Sequence, residues 1–330
     1  MRLVVTEERW PIAGAFTISR GSKTEARVIV ATLADDRHAG DGHAGRGEAV
    51  PYARYGETVE GVIAEIEAVR ATVEAGLDRT ALQELLPPGA ARNALDCALW
   101  DLEAKRAGQR VFALAGLRRL DPVKTAYTLS LAPAEVMAEA ARAASGRPLL
   151  KLKIGGPDDL DRVEAVRRAA PKTRLIVDAN EALTLDDLQR LAPDFARLDV
   201  KAIEQPLPAG ADEALEGYVS PVLLCADESL HSRAELDACA RRYGCVNIKL
   251  DKTGGLTEAL ALKAAARAKG LEIMAGCMVA TSLAMAPALL IAQGAAFVDL
   301  DGPLLLARDR EPGLNFIGSM IEPYGPDVWG

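Results

Sequence analysis

From about residue 124 onward, short apolar runs alternate with stretches whose apolar residues recur every three and four positions, and the connections between them are short. The first kind has the character of buried strands, the second the stripe of an amphipathic helix. The strand candidates are KTAYTLSL (124–131), LLKLKIGG (149–156), RLIVDANEA (174–182), VKAIEQPL (200–207), VLLCADES (222–229), CVNIKLDK (245–252), LEIMAGCM (271–278) and AAFVDLDG (295–302). Seven helical stretches separate them, among them DDLDRVEAVRRAA (158–170) and SRAELDACARRYG (232–244). Eight strands with seven helices predict a modified TIM barrel of the (β/α)7β type rather than an open doubly wound sheet, and no GxGxxG follows the first strand.

Before the barrel the pattern changes. AFTISRGSKTEARVIVATLA (15–34) reads as a hairpin, HAGDGHAGRGEAVPYARYGET (38–58) as a glycine-rich turn region, and AARNALDCALWDLEAKRAG (90–108) as a helix introduced by Pro87, Pro88 and Gly89. The expected organisation is an α+β capping domain over 1–120, completed by the C-terminal segment 305–330, and a catalytic barrel over 121–304. The fold class is α/β.

Composition narrows the function. The hydrophobic content of 49% supplies a core for 330 residues, and a net charge of −8 with scattered basic residues argues against nucleic acid as a partner. The N-terminal stretch MRLVVTEERWPIAGAF lacks the apolar core of an export signal, so a cytoplasmic protein is expected. The weakly polar run CMVATSLAMAPALLIA (277–292) is shorter than the roughly 20 residues a bilayer span needs, so no membrane partner is expected. Five cysteines without CxxC spacing fit neither a disulfide framework nor a zinc site and read as small buried thiols. Small molecules are the expected partners, and a homo-oligomer is compatible with the sequence.

Lysine is scarce: 11 of the 39 basic residues, of which four fall in the strings KLK and KLDK. In a strand Lys151 and Lys153 point to the same side, where two like charges are normally avoided. Active sites of βα barrels form at the C-terminal ends of the strands. There stand Lys151 and Lys153 after the second strand, Asp178 and Asn180 after the third and Glu204 after the fourth. Asp227 and Glu228 follow the fifth, Lys249 the sixth, and Asp299 and Asp301 the eighth. A single loop acid commonly serves as a helix N-cap. Acids on three consecutive strand ends would repel one another without a cation between them, and hard oxygen donors suit Mg²⁺.

The lysines have a bland alternative, pairing with a neighbouring acid or lying on the surface. A lysine set among apolar strand residues is costly unless its charge is met or its pKa falls. A base at neutral pH needs a pKa near 7–8 instead of about 10.4, a change of roughly 4 kcal/mol that a second ammonium and a divalent cation favour. Lys151 then holds a substrate carboxylate and depresses Lys153. Lys153 and Lys249, on opposite sides of the barrel, can remove a proton from one face of a carbon and return it to the other. The expected chemistry is epimerisation or racemisation next to a carboxylate, through an enediolate stabilised by the metal.

The strings SRGSKTEARV, PYARYGE, AARNALDCALWDL, KLKIG, LIVDANE, EQPLP, CADES, VNIKLDKTGGLTEALAL, GCMVATSLA and DLDGP resemble the enolase superfamily, in its muconate-lactonizing-enzyme subgroup, and more narrowly the dipeptide epimerases. Enolase-superfamily sites with a Lys or His base and Mg²⁺ are a known pattern. The resemblance covers essentially the whole chain. It implies Asp178, Glu204 and Asp227 as ligands of one Mg²⁺ per subunit, Lys153 and Lys249 as the acid/base pair, and Lys151 as a carboxylate-side helper. It further implies Asp299 and Asp301 for a substrate α-ammonium, Arg20 or Lys23 for an acidic second side chain, and Cys277 and Met278 among the substrate contacts. Where an arginine is expected at the second of the two basic positions this chain has Lys23, a point charge without the bidentate fork.

The implied activity is Mg²⁺-dependent dipeptide epimerisation, interconverting L-Ala-D-Glu and L-Ala-L-Glu in murein peptide metabolism. The competing enzymatic readings are epimerisation of other dipeptides, o-succinylbenzoate synthase, N-acylamino-acid racemase and muconate cycloisomerase. Asp299 and Asp301 speak against the last three, whose substrates carry no free ammonium. A silent metal- or ligand-binding barrel would have lost a catalytic residue, and none is missing.

Overall fold

The computed structural model describes residues 1–35 and 42–330, so residues 38–41 of the glycine-rich region lie outside the described residues. The chain opens with a three-stranded antiparallel sheet of β1 (Arg2–Ile18), β2 (Gly21–Ala34) and β3 (Ala44–Ala49), with β2 in the middle. The first strand starts well before the expected hairpin. Pro11 masks it in the sequence, but β1 is an edge strand, where proline is tolerated, and its register shifts between Pro11 and Phe16.

The strand β3 corrects the turn reading of AGRGEA. Helix α1 (Ala90–Ala107) starts directly after Gly89 and lies against β3. A Cβ at Gly45 would stand 2.1 Å from the Ala98 carbonyl oxygen, and one at Gly47 2.1 Å from that of Ala94. The glycines are there for close approach of the helix, not for a turn.

Eight parallel strands follow: β4 (Tyr127–Leu129), β5 (Leu149–Lys153), β6 (Arg174–Asp178), β7 (Val200–Glu204), β8 (Leu223–Ala226), β9 (Cys245–Ile248), β10 (Glu272–Gly276) and β11 (Phe297–Asp299). Each pairs with the next in sequence order. The ring closes through Ala126 N–H to the Val298 carbonyl at 2.7 Å, and Leu300 N–H donates to Thr125 Oγ1 at 2.8 Å. Below the strand ends, Ala126, Leu149, Ile176, Ala202, Cys225, Cys245, Met274 and Phe297 form one buried apolar cluster that fills the interior. All five cysteines are free thiols, and only Cys277 is less than fully buried.

One of the seven expected helices is absent. The link from β7 to β8 carries only a 3₁₀ turn, Asp212–Leu215, because Pro206, Pro208, Gly210, Gly217 and Pro221 leave no uninterrupted stretch for an α-helix. Among the described residues no helix is long and apolar enough to cross a membrane.

The N-terminal half is fastened to the barrel by buried polar groups. Arg92 of α1 donates to the carbonyls of Thr253 and Gly254, and Asp96 accepts from the Thr257 amide and hydroxyl. Asp251, buried just after β9, accepts from Val50 N–H at 2.9 Å and from Asn93 Nδ2 at 2.8 Å. The C-terminal residues reach the same half: Trp329 Nε1 donates to the Arg46 carbonyl, and Gly330 N–H donates to Asp101.

Burial pushes the Asp251 carboxyl up to about 7, its two hydrogen bonds only partly opposing the shift. The folded state therefore binds more protons than the unfolded chain between pH 3.8 and about 7. Stability from this group is full below the unfolded value and is lost as pH rises through the folded one. In urea unfolding followed across that range, Asp251→Asn is expected to remove this part of the decline while keeping the acceptor oxygen for Val50 and Asn93.

Candidate active site at the barrel mouth

Parallel register sets the site level. Lys153 lies beside Asp178, and Asp178 beside Glu204, in successive strands. Asp227 stands just past β8, Lys249 just past β9, and Asp299 ends β11. Lys151, Lys153, Asp178, Glu204, Asp227, Lys249, Asp299 and Asp301 are all buried.

Charge pairing organises them. The Lys151 Nζ sits 2.6 Å from Glu204 Oε2, 2.7 Å from Asp299 Oδ2 and 3.0 Å from Asp178 Oδ2. Lys153 donates to Asp178 Oδ2 at 2.6 Å, and Lys249 to Asp227 Oδ2 at 2.6 Å. Among the described residues no three His, Cys, Asp or Glu side chains already form a ligand cluster. The carboxylates that the sequence assigns to a cation close on ammonium groups instead.

Neighbours nevertheless aim each acid. Asp178 Oδ1 accepts from Asn180 N–H at 2.9 Å, and Glu204 Oε1 from Asn247 Nδ2 at 2.8 Å. Asp227 Oδ1 accepts from Lys252 at 2.6 Å, and Gln205 Oε1 holds the Asp227 amide at 2.8 Å. One oxygen of each acid (Asp178 Oδ2, Glu204 Oε2, Asp227 Oδ2) is thus left to face the lysines, and Glu204 Oε2, though ion-paired, makes no hydrogen bond. Three hard, anionic oxygens fixed from behind fit a divalent cation of the Mg²⁺ kind.

The electrostatics follow from burial opposed by pairing. Burial would raise the Asp178 carboxyl, but Lys153 and Lys151 outweigh it and hold the acid below its usual value. Lys249 and Lys252 do the same for Asp227. Glu204, pushed up by burial and by the charge of Asp178, reaches about 7. For Lys151 and Lys249 burial would lower the pKa, yet Asp299 and Glu204 around the first and Asp227 and Glu204 around the second drive it well above the lysine value. Around Lys151 and Lys249 the acids thus favour the protonated ammonium.

Above the acids opens a cavity of about 890 Å³, lined by Arg20, Lys23, Tyr52 and Tyr55 from the N-terminal half and by Lys151, Lys153, Asp227, Lys249, Cys277, Met278, Asp299 and Asp301 from the barrel. Asp178 and Glu204 lie beneath it, outside its lining. Burial and the charge of Asp299 raise Asp301 to about 7, although Asp301 accepts from Thr128 N–H at 2.6 Å; Asp299 Oδ1 has no hydrogen-bond partner. Lys23 has its Nζ 5.4 Å from the Tyr52 ring centre. The Arg20 guanidinium, by contrast, bonds to Tyr52, the Asn180 carbonyl, Glu181 and Glu228.

Several contributors escape sequence reading. Lys252, taken as possible surface charge, is fully buried and braces Asp227. Asn247 reaches Glu204 only because β10 offers Gly276, where a Cβ would stand 2.3 Å from Asn247 Oδ1. The signal for Lys252 was its repeat spacing in KLDK; for Asn247 there was a polar residue inside an apolar strand.

Comparison with known proteins agrees with this geometry. A family model described as "Mandelate racemase / muconate lactonizing enzyme, N-terminal domain" matches residues 1–116, and one described as "Enolase C-terminal domain-like" matches 135–302. The chain is 48% identical over 319 residues to the L-Ala-D/L-Glu epimerase of Escherichia coli, covering 96% of this chain and 98% of that protein. It is 43% identical over 305 residues to the N-acetyl-D-glutamate racemase of a Pseudoalteromonas species, covering 92% and 95%. Among solved structures, an enolase family member from Agrobacterium tumefaciens with homology to dipeptide epimerases, with bound sodium and L-Ala-L-Glu, superposes with a TM-score of 0.96 at 53% identity and 99% coverage of both chains. A dipeptide epimerase from Enterococcus faecalis, complexed with Mg and L-Leu-L-Tyr, gives 0.89 at 26% identity, covering 99% of this chain and 98% of that one. With an α+β half set over a parallel barrel, and lysines and acids at its mouth, the chain belongs to the mandelate racemase/muconate lactonizing enzyme family of the enolase superfamily.

Proposed function

We propose that the protein is a dipeptide epimerase acting on L-Ala-D/L-Glu. The observation that carries this reading is the pair of buried lysine side chains, Lys153 at the end of β5 and Lys249 just past β9, on opposite sides of the ring with the acids between them. Lys153 takes the α-proton from one face of the substrate carbon and Lys249 returns a proton to the other, their roles exchanging for the opposite epimer. Asp178, Glu204 and Asp227 would hold Mg²⁺ through the oxygens now facing the lysines. When bound, Mg²⁺ supplies positive charge that offsets the growing negative charge on the substrate carboxylate.

Lys151 completes the charge balance beside that carboxylate. Asp299, with its unpartnered buried Oδ1, and Asp301 accept the substrate's α-ammonium, and Cys277 and Met278 contact the dipeptide. Lys23, whose ammonium lies 5.4 Å from the Tyr52 ring centre at the cavity wall, attracts an acidic second side chain. Residues 1–120 with 305–330 act as the cap and 121–304 as the barrel. The activity belongs to cytoplasmic turnover of cell-wall peptides.

A second reading, racemisation of N-acylamino acids, is favoured by the likeness to the Pseudoalteromonas racemase. The two differ in the substrate amine: free for the first, acylated for the second.

Incubation with L-Ala-L-Glu in D₂O should place deuterium at the α-carbon of the second residue, read by mass spectrometry. Lys153→Ala and Lys249→Ala should each abolish epimerisation with an unchanged circular dichroism spectrum, and chelation of divalent ions should stop turnover until Mg²⁺ is restored. Normal turnover by either variant removes that lysine from the mechanism.

Losing one partner of a desolvated charge pair costs about 2–5 kcal/mol, so Asp301→Asn should lower kcat/KM by well over tenfold, and N-acetylation of the dipeptide should do the same. Lys23→Ala should lower turnover of Ala-Glu and spare dipeptides with neutral second residues. Acetylated substrates reacting as well as free ones would establish the racemase reading in place of the first.

Removing the shared counter-charge of three buried acids should be severe. Lys151→Met is expected to lose about 3–5 kcal/mol of stability in metal-free urea unfolding and to recover part of it on addition of Mg²⁺.

A further inference from the structure

Two basic residues of the β1–β2 hairpin line the same cavity, yet their donors are used differently. Arg20 lies in the turn between Ile18 and Gly21, with its side chain 26% exposed. Its Nη1 donates to the Asn180 carbonyl at 2.9 Å and to Glu181 Oε2 at 3.1 Å. Its Nη2 donates to Glu228 Oε1 at 2.8 Å and to the Tyr52 hydroxyl at 3.1 Å. These four bonds use every N–H on the two terminal nitrogens. A carboxylate fork needs two parallel N–H groups, and only Nε remains.

The partners come from three segments. Tyr52 belongs to the N-terminal half, Asn180 and Glu181 to the loop after β6, and Glu228 to the loop after β8. The β6 loop is shaped for the contact: Asn180 and Glu181 have φ of 43° and 70°, left-handed values uncommon for non-glycine residues. Glu181 also accepts from Nε and Nη2 of Arg54 at 2.7 Å each and from the Ala209 amide at 2.8 Å, so it is held independently of Arg20. Asn180 N–H holds Asp178, and Glu228 directly follows Asp227. The guanidinium thus joins the hairpin turn to residues adjoining two of the three acids.

We propose that Arg20 is a positioning residue that fastens the β1–β2 turn and the Tyr52 loop onto the barrel mouth through Glu228, Glu181 and the Asn180 carbonyl, and that it is not a substrate ligand. The kinetic half of this inference rests on the dipeptide reading; the fastening itself does not. A latch affects every substrate alike, because it closes the cavity and steadies the loops behind Asp178 and Asp227. A ligand for an acidic side chain affects acidic dipeptides only.

The test uses the whole protein and two readouts. Trypsin cleavage after Lys23 under native conditions, located by mass spectrometry, reports opening of the hairpin without any turnover. Charge-assisted bonds of this kind are worth about 1.5–3 kcal/mol, so Arg20→Gln should raise that cleavage rate by about tenfold or more. Glu181→Gln should raise it too and stands in should Arg20→Gln fail to fold. In parallel, kcat/KM for L-Ala-L-Glu and for an L-Ala dipeptide with a neutral second residue should fall by the same factor, mainly through KM. Unchanged cleavage after Lys23 overturns the latch whatever the kinetics. A loss confined to the acidic dipeptide also overturns it and makes Arg20 a ligand. If the wild type turns over neither dipeptide, the fault lies in the functional reading, and cleavage alone decides the latch.

Discussion

The structure turns on one requirement, that five carboxyl groups buried at the barrel mouth (Asp178, Glu204, Asp227, Glu228 and Asp299) be given positive charge, while Asp301 beside them takes an amide instead. An isolated buried ion is worth tens of kcal/mol of lost solvation, and only close pairing makes it bearable. Lys151 is central to the solution, since a single ammonium is shared among acids from β6, β7 and β11. Lys153, Lys249 and Lys252 serve Asp178 and Asp227 from either side, Arg20 pairs with Glu228, and Asp301 is met by the Thr128 amide. Everything else near the mouth, from Asn247 behind Glu204 to Gln205 behind Asp227, fixes where those charges sit.

This explains why Lys151 and Lys249 favour their charged forms despite burial. An ammonium surrounded by carboxylates keeps its proton, and an acid and a base of opposite charge hold each other in their ionised forms. A cation that engaged the acids would loosen their hold on the lysine protons. The buried ion pairs keep the acids from standing uncompensated.

Strand alternation made the inner ring readable in the sequence. Polar residues at the ends of apolar runs, such as Asp178 in RLIVD and Glu204 in VKAIE, have nowhere to point but the mouth. The helix 90–107 was equally plain from its flanking residues. What stayed hidden depends on approach between segments far apart in the chain. The glycines of AGRGEA look like turn residues until α1 is laid on them, and Lys252 looks like a surface charge until Asp227 is folded beneath it. Arg20 was visible as a loop cation, but its four partners lie 32 to 208 residues away. The missing helix between β7 and β8 was a failure of a different kind, since the prolines and glycines that prevent it were in plain view.

The seam of the barrel has a further consequence for how such a protein can change. Where β11 meets β4, the ring is joined by one backbone contact and by side chains: Thr125 holding Leu300, and Asp301 holding Thr128. Asp301 is thus a structural weld as well as a cavity-lining acid, and Asp299 beside it neutralises Lys151. Residues with two duties resist replacement, because a gain in one is opposed by a loss in the other. Change is freer at Lys23, whose ammonium rests near the Tyr52 ring rather than on a barrel acid, so relatives in this family should diverge there before they diverge at Arg20 or along the seam.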